Sequence, residues 1–226
     1  MHEYFKHLLA RNVVILSSLK LYCKVRILFD ILNYELCIMN YTLKINPLEI
    51  IENYYFKGSE IHYILLKHSE QVIDKALKIA INHPELKLDT EFIAEASMLH
   101  DIGIFLCDAP RIHCHGSHEY IQHGYLGADL LRAEGLPKHA LVCERHTGVG
   151  LSLEMIQKKQ LPLPQRDMLP VSLEEQAICY ADKFFSKTQL EEEHSIERIR
   201  QYLNRYGELE VLKFDEWNSM FEGEKL

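Results

Sequence analysis

The chain has 226 residues with 25 Lys+Arg and 33 Asp+Glu, so its formal net charge is −8 with the histidines neutral. This balance argues against a nucleic-acid binder held by phosphate contacts, because such proteins present a basic surface. An apolar fraction of 47% and a charged fraction of 26% are typical of a globular protein and exclude disordered and collagen-like classes.

The most apolar run, Val13 to Leu19, is closed by Lys20 and is too short to span a membrane. No small-residue cleavage site follows it, so it does not fit a secretory signal, and we expect a cytoplasmic protein without a membrane partner. The six cysteines include no Cys-x-x-Cys pair, which indicates reduced, buried thiols.

The first 38 residues differ in charge from the rest of the chain. They carry a net charge of +2, against −10 for the remainder, and the composition changes at Met39. Two interpretations stay open. Either residues 1–38 precede the true start of the protein, or they form an extra helix that packs on the domain.

Helical signals dominate from residue 46 onward. Asn46 and Pro47 are typical of the N-cap and first residue of a helix, which we expect to run to about residue 56. A longer helix is predicted after residue 58, ending before Pro84. Its apolar residues recur at steps of three and four, which places His68 on the buried face.

The next predicted helix opens at Asp89 and ends at His100 and Asp101, with Gly103 as its stop signal. Residues 105–118 are predicted as a loop. Two further helices follow, over residues 119–133 and from residue 136 to His146.

Three prolines between residues 162 and 170 mark a connecting loop. Ser172 and Glu175 form a capping box that predicts a helix through Asp182 to about Lys187. The tail from residue 191 is predicted to be helical again. Its apolar residues fit core packing, with a homodimer contact as the alternative; they are Ile196, Ile199, Leu203, Tyr206, Leu209, Leu212, Trp217, Met220 and Phe221.

Histidine is the unusual residue of this sequence. Seven of the 13 histidines lie between His100 and His146, and histidine is the commonest metal ligand. His68, His100, Asp101 and Asp182 together offer two imidazoles and two carboxylates. That mixture suits a divalent ion such as iron or manganese better than a thiolate-rich structural zinc site.

A second ion is also expected. Asp101 has two carboxylate oxygens and can therefore bridge two ions, and His123 and His146 are the natural candidates to hold the second one. Open coordination positions would remain for water.

These residues resemble the HD superfamily of metal-dependent phosphohydrolases, whose pattern is a His, a His-Asp pair and a distant Asp. The matching residues are His68, the pair in Met98-Leu99-His100-Asp101-Ile102-Gly103, and Asp182. His123 and His146 look like the extra histidines of the subgroup that binds two metals. The resemblance suggests an N-terminal extension over residues 1–58, an HD domain over 59–190 and a helical tail over 191–226.

The resemblance implies an all-α HD-domain bundle of about five core helices with extra N- and C-terminal helices. It implies two divalent metal ions, one held by His68, His100, Asp101 and Asp182, the other by Asp101, His123 and His146. The implied reaction is cleavage of a phosphate ester or anhydride, of a small nucleotide, by a metal-bridging hydroxide.

Two other functions remain open. A minority of two-metal HD proteins resemble diiron oxygenases, which use the same ligands with O₂. A metal-binding regulatory module without turnover is the second alternative.

Other residues near these ligands are candidates for work on the substrate. We expect Asp101 to be catalytic through its bridging position and His118 to act as a proton donor to the leaving group. Arg145, Lys183 and His115 are candidates for binding the substrate phosphate.

Overall fold

The structure, a computed structural model, describes residues 44–223. Residues 1–43 and 224–226 lie outside the described residues, and so do both interpretations of residues 1–38. The predicted all-α class is confirmed, because nine α-helices build residues 44–223. They are α1 (Pro47–Glu52), α2 (Glu60–Asn82), α3 (Thr90–Leu99), α4 (His123–Ala133), α5 (Pro137–Arg145), α6 (Leu153–Lys158), α7 (Leu173–Asp182), α8 (Ile196–Leu203) and α9 (Glu208–Glu222).

The predicted helix starts are confirmed by their caps. Asn46, Ser59, Asp89 and Ser172 each precede a helix, and each side chain accepts a hydrogen bond from a backbone N–H in the first turn. Such a bond satisfies one of the donors that a helix start leaves without a partner. Short polar residues therefore set where these four helices begin.

Several predicted helix ends are wrong. α1 ends at Glu52 instead of near residue 56, and α7 ends at Asp182 instead of near Lys187. Beyond Asp182 the backbone tightens, because the N–H of Phe184 bonds to the carbonyl of Ala181, three residues back.

The segment before α4 also differs from the prediction. Residues 120–122 form a 3₁₀ turn capped by Glu119 and Gln122, so the α-helix begins at His123. The predicted loop over 105–118 contains β1 (Asp108–Ala109) and β2 (Cys114–His115), which pair in antiparallel fashion.

The helices pack in a bundle in which α2 contacts α3 and α7, and α4 lies against α5. Glycines permit the close approach of α4. A Cβ on Gly103 would lie 2.3 Å from the carbonyl oxygen of His123, and one on Gly127 would lie 2.6 Å from Cys143 Sγ. Gly103 therefore lets the start of α4 lie against the corner that follows α3, and Gly127 lets α4 lie close to α5.

The C-terminal tail belongs to the hydrophobic core. Phe214, Trp217 and Phe221 on α9 are buried against Tyr180 of α7, together with Leu203 of α8. The predicted core packing is thus confirmed for part of the apolar stripe. The exposed members are Tyr206, Leu209, Leu212 and Met220, and a homodimer contact through them stays a prediction.

The described cysteines, Cys107, Cys114, Cys143 and Cys179, are buried free thiols, as the sequence predicts. Cys23 and Cys37 lie outside the described residues. Within residues 44–223, every helix is too short or too polar to cross a membrane.

Candidate metal centre

Six buried polar side chains meet where the ends of four helices face the middle of α2. Five of them stand at or next to a helix end, where the backbone turns and a side chain can point into the bundle. The sixth belongs to the buried face of the long helix α2, as its spacing predicts. They are His68, His100, Asp101, His123, His146 and Asp182.

The first group surrounds one oxygen of Asp101. His68 Nε2 lies 3.1 Å and His100 Nε2 lies 3.0 Å from Asp101 Oδ2. Asp182 Oδ1 completes the group at 2.9 Å from His68 Nε2 and 3.5 Å from His100 Nε2. Ligand atoms about 2.0–2.2 Å from one ion lie close to these distances from one another.

The second group surrounds the other oxygen of the same carboxylate. Asp101 Oδ1 lies 3.3 Å from His123 Nε2 and 3.4 Å from His146 Nε2. The two imidazole nitrogens are 3.0 Å apart. Within each group the ligand atoms lie within 4.8 Å of one another, so each group has the dimensions of a metal site.

Backbone carbonyls orient three of the four imidazoles. Nδ1 of His100 donates to the carbonyl of Ser97 at 2.6 Å, Nδ1 of His123 to Tyr120 at 2.6 Å, and Nδ1 of His146 to Cys143 at 2.7 Å. A carbonyl oxygen only accepts, so Nδ1 carries the hydrogen. Nε2 is therefore left to face the centre, the arrangement found around metal-bound histidines.

The electrostatics of the centre favour bound cations. Burial by itself lowers the pKa of His100, but Asp101 and Asp182 raise it to about 9. Burial lowers the pKa of His146 to about 4, so this imidazole is neutral near pH 7. Although burial opposes ionisation, adjacent lysines and histidines hold the pKa of Asp101 and Asp182 well below the usual range.

Polar atoms without partners provide a direct test of whether metal ions fit. Oδ1 of Asp101 and Nε2 of His100 are buried and make no hydrogen bond, whereas Oδ2 of Asp101 lies against the ammonium of Lys187. Such atoms are costly in a protein interior unless something else compensates them. Carboxylates and imidazoles are the ligands that divalent transition metals take, and an ion in the first group would displace the proton that the raised pKa keeps on His100. The residues therefore fit two such ions.

A cavity of about 1000 Å³ opens beside the two groups, with His123, His146 and Asp182 in its wall. Cationic and aromatic side chains form much of the remaining wall. They are Arg111, Tyr120, Lys183, Lys187, Arg198, Tyr202 and Arg205.

The residues predicted to act on the substrate are placed differently from one another. Lys183 lines the cavity, and its Nζ contacts Asp182 Oδ2 at 2.7 Å and the carbonyl of His146 at 3.1 Å. Arg145 instead pairs with Glu175 at 2.9 Å. His115 lies exposed on β2, and His118 is bridged through its backbone to Cys107. The structure does not bring these last three residues to the cavity wall.

Sequence reasoning missed several residues of the wall. Lys187 and Arg111 lie in turns, and Arg205 lies just beyond the end of α8, where no periodic pattern or motif distinguishes them. Tyr202 stands one position before the predicted core residue Leu203, and the sequence prediction does not include it. The helical period of apolar and polar positions along α8 is the one signal in the sequence that could have placed Tyr202 on a different face from Leu203.

Comparisons with known proteins agree with this geometry. A model of the HD domain family matches residues 65–186, a segment that contains all six residues of the two groups. An uncharacterized protein of Methanocaldococcus jannaschii is 35% identical over 132 residues, which are 58% of this chain and 69% of that protein.

Two relatives carry an enzyme name. A tRNA (cytidine(56)-2'-O)-methyltransferase of Picrophilus torridus is 28% identical over 151 residues, 66% of this chain. Its counterpart in Thermoplasma volcanium is 31% identical over 123 residues, 54% of this chain. The matched segments span only 38% and 32% of those two proteins. No solved structure matches the chain.

Proposed function

The chain belongs to the HD domain family, and we propose that it is a metal-dependent phosphohydrolase that cleaves a phosphate ester or anhydride of a nucleotide. One observation carries this proposal. The two oxygens of Asp101 face two separate ligand groups beside a cavity whose wall is rich in cationic side chains. A shared carboxylate between two metal sites is an arrangement suited to hydrolysis at phosphorus.

Two bound divalent ions, iron or manganese by this ligand set, would acidify a water molecule and offset the charge of the phosphoryl oxygens. The protein's own contribution is to fix the positions of the ligands. Asp101 couples the two groups through one rigid carboxylate. Lys183 holds Asp182 and the end of α5 together, because its ammonium contacts the Asp182 carboxylate and the His146 carbonyl.

The cavity wall supports a nucleotide as substrate. Arg111 and Arg205 lie in the cavity wall, where Arg111 is exposed and Arg205 contacts the ring and the backbone carbonyl of Tyr202. Guanidinium groups in such a wall suit a phosphate. Tyr202 is 44% exposed, and the guanidinium of Arg205 lies 4.7 Å from the centroid of its ring. An aromatic face beside cations suits a planar base that carries phosphate.

The named relatives support the same class of substrate. Their names place them on tRNA, and a free nucleotide shares its base, ribose and phosphate with RNA. The net charge of −8 favours a small nucleotide over a polynucleotide. A polyanion would be repelled by the negative charge of the protein surface, whereas a small anion contacts only the cavity.

Phosphate release from a panel of substrates tests the proposal. The protein is loaded anaerobically with Mn²⁺ or Fe²⁺ and assayed, with and without O₂, on nucleoside mono-, di- and triphosphates, a sugar phosphate and a 5′-phosphorylated oligoribonucleotide. We expect oxygen-independent phosphate release from a nucleotide, and none from Asp101→Ala.

Other results would count against the proposal. Oxygen uptake by the Fe²⁺ form without phosphate release would replace it with oxidative chemistry on the same ligands. Tight nucleotide binding with no turnover by any metal form would replace it with a regulatory module.

A further inference from the structure

Lys187 lies against the carboxylate that the two groups share. Its Nζ is 2.5 Å from Asp101 Oδ2, and its side chain is only 12% exposed. The same oxygen faces His68 and His100 of the first group. The ammonium thus contacts a carboxylate oxygen that a metal ion in the first group would bind.

The backbone around Lys187 is held in place. Residues 186–189 form a tight turn closed by a bond from the N–H of Gln189 to the carbonyl of Ser186. The next residue is tied to α2, because Gln71 Nε2 donates to the carbonyl of Leu190 at 2.7 Å. Any change in the position of the ammonium therefore comes from the long side chain, whose four-carbon stem has free rotation.

Lys183 provides the internal comparison. Its ammonium has a second acceptor in the carbonyl of His146, which stays in place whatever binds the carboxylates. Lys187, in contrast, has its ion pair within residues 44–223 with Asp101 alone. The hydroxyl of Tyr120, on the cavity side, is its second polar partner and is hydrogen-bonded to the ammonium.

The charges of the centre determine whether each lysine keeps its contact with a carboxylate when metal ions bind. Two carboxylates are balanced by two ammonium groups, and two divalent ions would add four positive charges within a few ångströms. At such distances in a buried site, like charges repel one another strongly. Lys183 would keep its bond to the His146 carbonyl, whereas Lys187 would have to share its carboxylate oxygen with a metal ion.

We propose that Lys187 is the cation that metal ions displace from Asp101, and that the released ammonium then binds the phosphoryl group of the substrate. The displacement rests on the contact between Lys187 and Asp101 and on the charges around it, whereas the second role rests on the proposed phosphohydrolase function. A substrate phosphate beside the metal ions would offer an acceptor to an ammonium that is anchored at this turn, and lysine commonly binds phosphate as a point charge.

Metal binding to the stripped protein tests the displacement. Mn²⁺ affinity is measured by calorimetry for the wild type, Lys187→Met, Lys187→Arg and the control Lys75→Met. Lys75 is a partly buried lysine whose ion pairs are with Glu193 and Glu222, outside the two groups. We expect Lys187→Met to bind Mn²⁺ roughly tenfold more tightly, the value of one charged hydrogen bond. Lys187→Arg and Lys75→Met should stay near the wild type.

Inorganic phosphate binding to the Mn²⁺-loaded proteins tests the second role without requiring turnover. We expect Lys187→Met to bind phosphate roughly tenfold more weakly and Lys187→Arg to stay within a few-fold of the wild type. Thermal melting of each variant identifies any that fails to fold. If Lys187→Met does not fold, Lys187→Ala takes its place in the comparison. Mn²⁺ binding to Lys187→Arg that is no weaker than Mn²⁺ binding to Lys187→Ala would then overturn the displacement.

The outcomes separate this inference from the proposed function. Unchanged Mn²⁺ and phosphate affinities in Lys187→Met, with nucleotide hydrolysis intact in the wild type, would overturn the inference alone. The expected affinity changes in a protein that hydrolyses no phosphorylated substrate would support the inference and overturn the proposed function.

Discussion

Nε2 of His146 and Oδ1 of Asp101 lie 3.4 Å apart, and both present lone pairs to the space between them. His146 is neutral because burial lowers its pKa to about 4, and its hydrogen is on Nδ1, which donates to the carbonyl of Cys143. The carboxylate of Asp101 is ionised because its pKa is well below the usual range. Two acceptors this close repel each other unless a cation lies between them. The second group is therefore arranged to bind a cation.

The shared position of Asp101 predicts unequal metal losses. Asp101→Ala should remove both metal ions, because each group loses an oxygen ligand. His146→Ala should remove only the ion of the second group, since the first group keeps its four ligands. Elemental analysis of anaerobically purified protein measures the ions per chain. We expect about two for the wild type, one for His146→Ala and none for Asp101→Ala.

His139→Ala is the matched control for these variants. His139 is a buried histidine that contacts Glu95 at 3.1 Å and belongs to neither group. It should therefore keep both ions. Two ions per chain in Asp101→Ala would contradict the bridging role of this carboxylate.

Gly127 predicts a packing effect on the second group. Gly127→Ala adds a methyl group 2.6 Å from Cys143 Sγ, so α4 must move away from α5. Overpacking of this kind costs about 1–3 kcal/mol in the free energy of unfolding. Because His123 begins α4, the same shift should weaken the second metal more than the first. Chemical denaturation and metal analysis of the same sample measure both effects.

Asp129→Ala on the same helix is the control, since its side chain is 63% exposed. Its effect on unfolding should stay within about 0.5 kcal/mol. An unchanged unfolding free energy in Gly127→Ala would show that α4 has room to move.

Tyr202 and Arg205 predict substrate preference. Tyr202→Ala should raise the KM for a nucleotide roughly tenfold, because stacking of a base on an aromatic ring is worth about 1–3 kcal/mol. Arg205→Ala should raise it by a similar factor, because the variant loses a guanidinium that can bind phosphate. The kcat should change little, since neither residue belongs to the two groups. Hydrolysis of glycerol phosphate, which has no ring, should keep its KM in Tyr202→Ala. Phe56→Ala, at an exposed residue outside the cavity wall, is the control.

Equal changes for the nucleotide and for glycerol phosphate in Tyr202→Ala would contradict base stacking. They would indicate that the variant disturbs α8 as a whole.

Local sequence patterns predict most of the first group and of the helices. The spacing along α2 places His68 inward, and the stop signal at Gly103 brings His100 and Asp101 to a helix end. These features depend on the geometry of one helix or one turn, which a short stretch of sequence determines.

The cavity wall could not be predicted in the same way. Lys187 contacts Asp101 across 86 positions of the chain, and its role depends on how a tight turn lies against α2. Arg205 reaches the cavity because α8 and α9 pack on α7, a tertiary arrangement that periodicity does not specify. Contacts between distant segments require the fold itself.

The packing of the tail predicts that α9 supports the metal centre. Trp217 is fully buried, and its Nε1 donates to Gln176 Oε1 on α7, the helix that ends at Asp182. Trp217→Ala should lower the free energy of unfolding by about 3–5 kcal/mol, the usual cost of an aromatic cavity. It should also weaken binding of the first metal, because α7 loses the side chain that packs against it. Leu209→Ala, at a residue that is 76% exposed on the same helix, should change neither quantity. A stable Trp217→Ala variant with two tightly bound ions would contradict this role of α9. It would mean that the contacts of α7 with α2 are enough to hold α7 in place, and that the tail contributes to the cavity wall but not to the metal centre.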